Sequence, residues 1–245
     1  MSEFVYRIRR FYTWKDQELR DIFLSILAIT FIFAYNDGST QTFNLIYWIL
    51  NFVKVFIIVF VSFFAYDAGM RLSALSQGYI AEYKMWATGL GISLIFTLLT
   101  KGQYPLILVG GLFLHHHKIL RLGKFRHGIN TMAYGTIAAA GPLANLFVMT
   151  IALALSKQLH ILPTFFDTVA RINGYMIIYQ LLPIPKTNGI HIFFMSRLAY
   201  VFIAVTLASY VILSLVGVYS WLIAFIIGTS CWFAWYWFME GGNDI

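Results

Sequence analysis

Two polar, turn-prone stretches interrupt an otherwise apolar chain, and any chemistry has to be sought there first. One is Gly141-Pro142-Leu143-Ala144-Asn145, set in AAAGPLANLF; the other is Leu182-Pro183-Ile184-Pro185-Lys186-Thr187-Asn188-Gly189. Small residues let helices approach closely, and an Asn placed in lipid needs a hydrogen-bond partner. Irregular backbone at membrane depth is tolerated only against protein or a wet cavity, so the two stretches are expected to face each other inside a bundle. A third polar position is Asp67, in the run FVSFFAYDAGM. It reads as the only acid deep in the core, since Asp21, Asp37, Glu82 and Asp167 lie near the ends of apolar runs. Burial disfavours a free carboxylate, so Asp67 is expected to be partly protonated or hydrogen-bonded.

Other catalytic arrangements are poorly served. An aspartic-type site needs two carboxylates in one place. Ser62 and Ser73 flank Asp67, but no His is near them in sequence to act as a base. His115-His116-His117, with His127 beyond, invites a metal reading. Adjacent side chains diverge on a helix, and only two of three share a face on a strand. The run sits in a basic loop with Lys118, Arg121, Lys124 and Arg126, which oppose a cation, so contact with lipid headgroups is the expected role. His191 follows the Asn188-Gly189 turn and could approach the same cleft, for packing or support rather than ligation.

Taken in order, these residues resemble the site-2 protease family of intramembrane zinc metalloproteases. That family carries HExxH on one helix, GPxxN on a later one and LLPxPxxDG further on. Here Gly141-Pro142 with Asn145 matches the second motif, and LLPIPKTNG (181–189) matches the third except at one residue. Around the first, YDAGMRLSALSQGYIAEYKMWATGL (66–90) keeps Gly78-Tyr79, Ala81-Glu82, Met85-Trp86 and Gly89-Leu90 in register. The resemblance covers about 18–205 and implies a helical core with zinc held between the first and third motifs. The departures fall on the catalytic positions: Tyr66, Asp67 and Met70 replace the residues of HExxH that act, and Asn188 replaces the third ligand. A neutral phenol, a soft thioether and an amide are poor zinc donors. Asp67 keeps a carboxylate at the base position, one methylene shorter. The resemblance thus implies a pseudoprotease with no catalytic residues and no zinc. Its cleft is expected to comprise Tyr66, Asp67, Met70, Asn145, Asn188 and His191, with hydrogen bonds among Tyr66, Asp67, Asn145 and Asn188 in place of the metal.

Composition indicates what must position these residues. Of 245 residues, 60% are hydrophobic and only 11% charged, with a mean hydropathy of +0.75. Soluble domains carry about 25% charged residues, so a soluble fold is excluded. An all-α polytopic membrane protein is expected: one membrane domain over 1–245, a bundle of about six to eight transmembrane helices. Apolar runs lie at Ile22–Tyr35, Leu45–Ala65, Met85–Thr100, 131–156, 168–183, 196–217 and 219–239, with 104–117 read as a short or re-entrant crossing. Turns are expected at Pro163, at Pro183–Gly189 and at Gly217. Lys54 falls inside the second run and should face protein or water, or snorkel.

The N-terminal segment holds Arg7, Arg9, Arg10, Lys15 and Arg20, whereas 36–44 has no Lys or Arg. That asymmetry places the N-terminus, and by counting on the C-terminus, in the cytoplasm, with the cell membrane as the expected location. The first 20 residues lack the pattern of a signal peptide, so the first span is expected to be retained. The net charge of +7 suits anionic headgroups rather than nucleic acid, because no loop is long enough to form a basic face. The single Cys231 excludes an internal disulfide. The function expected is binding of membrane proteins or transmembrane segments without cleavage. Two alternatives stay open: an active zinc metalloprotease with unusual ligands, and a transporter or channel subunit resting on Lys54, Asp67 and the broken helices.

Overall fold

The computed structural model describes residues 3–35, 44–116 and 130–240. A short helix, α1 (Glu3–Phe11), leads into α2 (Asp16–Ala34) and the long α3 (Leu45–Ser76). Then come β1 (Tyr79–Met85), α4 (Ala87–Leu99) and β2 (Gly110–His116). The remainder is helical: α5 (Thr131–Leu153) with a π turn at Ala154–Gln158, α6 (Pro163–Leu181), α7 (Asn188–Met195), α8 (Arg197–Leu215) and α9 (Trp221–Trp235). Among the described residues, four segments are long and apolar enough to cross a membrane: Leu45–Ser76, Thr131–Gln158, Arg197–Leu215 and Trp221–Met239. An integral membrane protein is the consequence, because such surfaces are stable only against lipid.

Local sequence sets where these elements start. Asn44 Oδ1 accepts from the Ile46 and Tyr47 amides at 3.0 and 3.3 Å, capping α3. Asn130 Oδ1 accepts from the Met132 amide at 2.9 Å and does the same for α5. Pro163 begins α6 rather than marking a turn before it, since proline's missing N–H is no loss in a first helical turn. The helix therefore starts earlier than the apolar run at 168. At 32 residues α3 is about 48 Å long, well beyond a hydrocarbon core of about 30 Å. Lys54 is exposed on its surface rather than turned into the bundle.

Of the segment read as a short crossing, 104–117, the described residues 104–116 are not helical. Residues 110–116 form β2, which pairs antiparallel with β1 from Tyr79↔His116 to Met85↔Gly110. The fold is mainly helical but not purely so, since the described residues include a two-stranded sheet. Two adjacent glycines weaken a helix here, and the pairing depends on β1, about 30 residues earlier, which periodicity within 104–117 cannot reveal. The outer edge of β1 is covered by acids of α2. The Tyr83 amide donates to Glu18 Oε1 at 2.7 Å, and the Met85 amide donates to Asp21 Oδ2 at 3.2 Å.

Candidate functional site

The site is built where α3 crosses α5. A Cβ added at Gly69 would lie 2.7 Å from both the Ala140 oxygen and Ala144 Cβ, and one at Gly141 would lie 2.5 Å from the Tyr66 ring. Small residues on both helices therefore bring their backbones together and seat Tyr66 and Met70 against α5. Both side chains are buried, Tyr66 completely.

Pro142 then decides what meets them. Without an N–H, Pro142 cannot bond the carbonyl four residues back, so the Ala138 oxygen inside α5 lacks its helical donor. Asn188 Nδ2 fills that role, donating to Ala138 O at 2.8 Å. The same amide nitrogen lies 3.4 Å from Met70 Sδ, while Asn188 Oδ1 accepts from the Tyr66 hydroxyl at 3.0 Å. The two polar stretches do face each other, and Tyr66, Met70 and Asn188 converge on one point. The loop presenting Asn188 is held by Thr187 Oγ1, which donates to Ile184 O at 2.7 Å. Gly189 is forced by space: its Cβ would sit 2.2 Å from the Leu181 oxygen.

Asp67 is elsewhere. Its Oδ2 accepts from Arg71 Nε at 2.6 Å and from Trp14 Nε1 at 3.1 Å. Arg71 also bonds Glu18 Oε1 and donates to the Thr13 oxygen at 3.1 Å. Its guanidinium lies 5.3 Å from the Trp14 ring centroid and 5.9 Å from that of Tyr12. Asp67 is hydrogen-bonded, as expected, but it is not the only buried acid, because Glu18 is 5% exposed and Asp67 3%. The hydrogen-bonded set of Tyr66, Asp67, Asn145 and Asn188 does not form. Asp67 goes to Arg71, and both side-chain polar atoms of Asn145, fully buried, have no hydrogen-bond partner. The sequence reading passed over Glu18, Arg71 and Trp14. The i,i+4 spacing of Asp67 and Arg71 was the signal that could have found the pair.

Neither His191 nor His115 bonds the converging residues. His191 stacks on Tyr134 at 4.2 Å between centroids, and burial pushes its pKa below the ordinary imidazole value. His115 Nε2 lies 3.0 Å from Glu82 Oε2 on the sheet. His117 and His127, with Lys118, Arg121, Lys124 and Arg126, fall outside the described residues. Ser62 donates to the Ile58 oxygen at 2.8 Å and accepts from Asn173, and Ser76 donates to the Ser73 carbonyl. Neither Ser62 nor Ser73 bonds Asp67.

No protein-family model matches the chain, and no solved structure matches it. It is 26% identical over 181 residues to a protein of Methanocaldococcus jannaschii named "Putative zinc metalloprotease", a match spanning 73% of this chain and 84% of that protein. The likeness supports a metalloprotease-like relationship.

Zinc does not fit the residues present. The three converging groups are a phenol, a thioether and a carboxamide, none of them a good donor for a borderline-soft dication. Both polar atoms of the Asn188 amide are already engaged, one by Tyr66 and one by Ala138. The nearby carboxylate, Asp67, is engaged by Arg71 and Trp14.

Proposed function

We propose that this chain is a catalytically inactive relative of the site-2 proteases, which holds membrane-protein segments in a protease-like cleft without cutting them. The observation that carries this reading is the hydrogen bonding of Asn188. An ionised Asp, the form that ligates zinc, could accept from Tyr66 at that position but could not donate to the carbonyl that Pro142 leaves free. The amide serves both, so the three positions close on one another as a structural contact. The acid beside it agrees, since Asp67 is drawn away into an ion pair with Arg71 instead of standing free to activate water.

The family core also accounts for the path of the chain. Helices α2 and α6, 19 residues each and about 28 Å long, join the four apolar spans to make six crossings. Six crossings return both termini to one side, and the N-terminal arginines favour the cytoplasm. Helix α4, at 13 residues, is too short to cross.

Metal content tests the reading directly. Purified protein is expected to hold well below one zinc per chain. A variant carrying Tyr66→His, Asp67→Glu, Met70→His and Asn188→Asp is expected to gain zinc, since i and i+4 imidazoles share a helical face opposite residue 188. Transmembrane peptides reconstituted with the wild type should be retained uncut. Stoichiometric zinc in the wild type would instead favour an active enzyme, the reading that the name of the M. jannaschii relative favours.

A further inference from the structure

A charged cluster on the far side of the bundle has no part in that cleft. Lys157, Asp167 and Arg171 line a cavity of about 190 Å³ between α5, α6 and α8. Both oxygens of Asp167 are engaged: Lys157 Nζ lies 2.7 Å from Oδ2, and Ser156 Oγ donates to Oδ1 at 2.5 Å. Arg171, one turn further along α6, is a second cation close enough to act on Asp167, without a direct ion pair among the described residues. Two cations against one anion leave one positive charge uncompensated.

Its position makes that surplus informative. Arg171 lies eight residues past Pro163, the first residue of α6, which is about 12 Å along the helix. A cation at membrane depth is expensive unless it reaches the interface or meets an anion, and helical side chains lean towards the N-terminal end, here the headgroup end. The hydroxyl-bearing rings of Tyr175 and Tyr219 line the same cavity. The rest of the wall is mainly apolar, with Met149, Leu153, Ile178, Val211 and Leu215 beside Ser214. Gly174 keeps the space tight, a Cβ there lying 3.0 Å from Val211 Cγ1. Surplus positive charge beside a mainly apolar wall matches an amphiphile with an anionic head.

We propose that this cavity binds an anionic membrane lipid, its phosphate on Arg171 and Lys157 and its first methylenes along the α5, α6 and α8 wall. The charge surplus favours such a lipid over a zwitterionic one, whose own cation would meet Arg171.

The full chain in neutral detergent, titrated with phosphatidylglycerol or phosphatidylcholine and followed by thermal unfolding and native mass spectrometry, tests this. Phosphatidylglycerol should be retained and should raise the melting temperature more than phosphatidylcholine does. Arg171→Gln should weaken apparent phosphatidylglycerol affinity by about tenfold or more, with Arg171→Lys recovering part of it. Lys54→Gln, which removes an exposed cation on α3 outside the cavity, should bind as the wild type does. An equal response to both lipids would overturn the proposal. So would an equal loss in Lys54→Gln, which would mean a non-specific charge effect, or full reproduction of the shift by inorganic phosphate, which would mean a free-anion site.

Discussion

Arg71 sits between two buried carboxylates, with both its own and the Glu18 side chain almost inaccessible. Removing one member of such a group strands charge, which costs about 3–5 kcal/mol, whereas apolar replacement of all members is often tolerated. Arg71→Met is therefore expected to lower stability by that order, measured by thermal unfolding in detergent. Asp67→Asn should cost less, about 1–3 kcal/mol, because Arg71 keeps Glu18 and the Thr13 carbonyl. Equal losses would mean that the cation holds Asp67 alone. Asn188→Asp isolates the cleft. It replaces the donor to Ala138 O with an acceptor, leaving an unpaired buried carbonyl, and should destabilise by about 1–3 kcal/mol without any metal present. An unchanged unfolding midpoint would show that the Ala138 bond does not matter and would weaken the case for a structural Asn.

Among elements, the α3–α5 crossing sets the site's geometry. Gly69→Val has no room beside the Ala140 carbonyl and should push the helices apart, with a loss of at least about 1–3 kcal/mol. Gly91, in α4, has nothing within 4 Å of an added Cβ. Gly91→Ala should thus be neutral or stabilise by up to about 1 kcal/mol through helix propensity. Paired melting curves separate a packing glycine from a dispensable one. The sheet supplies a pH test. Burial raises the Glu82 pKa, but Lys15 and His115 outweigh it and hold the carboxyl below its ordinary value. A depressed folded pKa gives stability that is present above the unfolded value of about 4.3 and lost as pH falls through the folded one. The pair with exposed Lys15 is worth at most about 1 kcal/mol. Glu82→Gln should consequently melt slightly below the wild type at pH 7 and converge with it in acid. A gap that persisted below pH 3 would assign the loss to something other than this charge.

For the whole molecule, the six crossings proposed above would put both ends on one side of the membrane. Single cysteines at Ser2 and Asn243, in a Cys231→Ser background, should both resist impermeant labelling from outside intact cells. Labelling of only one would remove a crossing from the count, and the short α6, interrupted at depth by Arg171, would be the first to question. Helix α9 packs on α8 through Gly228, where a Cβ would lie 1.9 Å from Thr206 Oγ1. Most of its other residues face outwards, as a lipid-facing edge helix requires.

Residue chemistry within one segment was legible from the sequence: the apolar runs that became α3, α5, α8 and α9, and the poor zinc-donor chemistry of the residues at Tyr66, Met70 and Asn188. The approach of the two polar stretches was legible too, because polar groups in lipid have to find each other. Tertiary structure alone decided pairings between distant segments. Residues 104–117 read as a crossing until β1 supplied the backbone donors and acceptors that make β2 a strand. Asp67 read as part of the cleft because its side-chain direction depends on Arg71 and on Glu18, 49 residues earlier in a different helix. Asn188 could be placed near α5, but its particular partner, the Ala138 carbonyl freed by Pro142, follows only once the two backbones are fixed in space. Periodicity records which face of a segment is apolar, whereas a hydrogen bond between segments depends on relative positions that no single segment encodes.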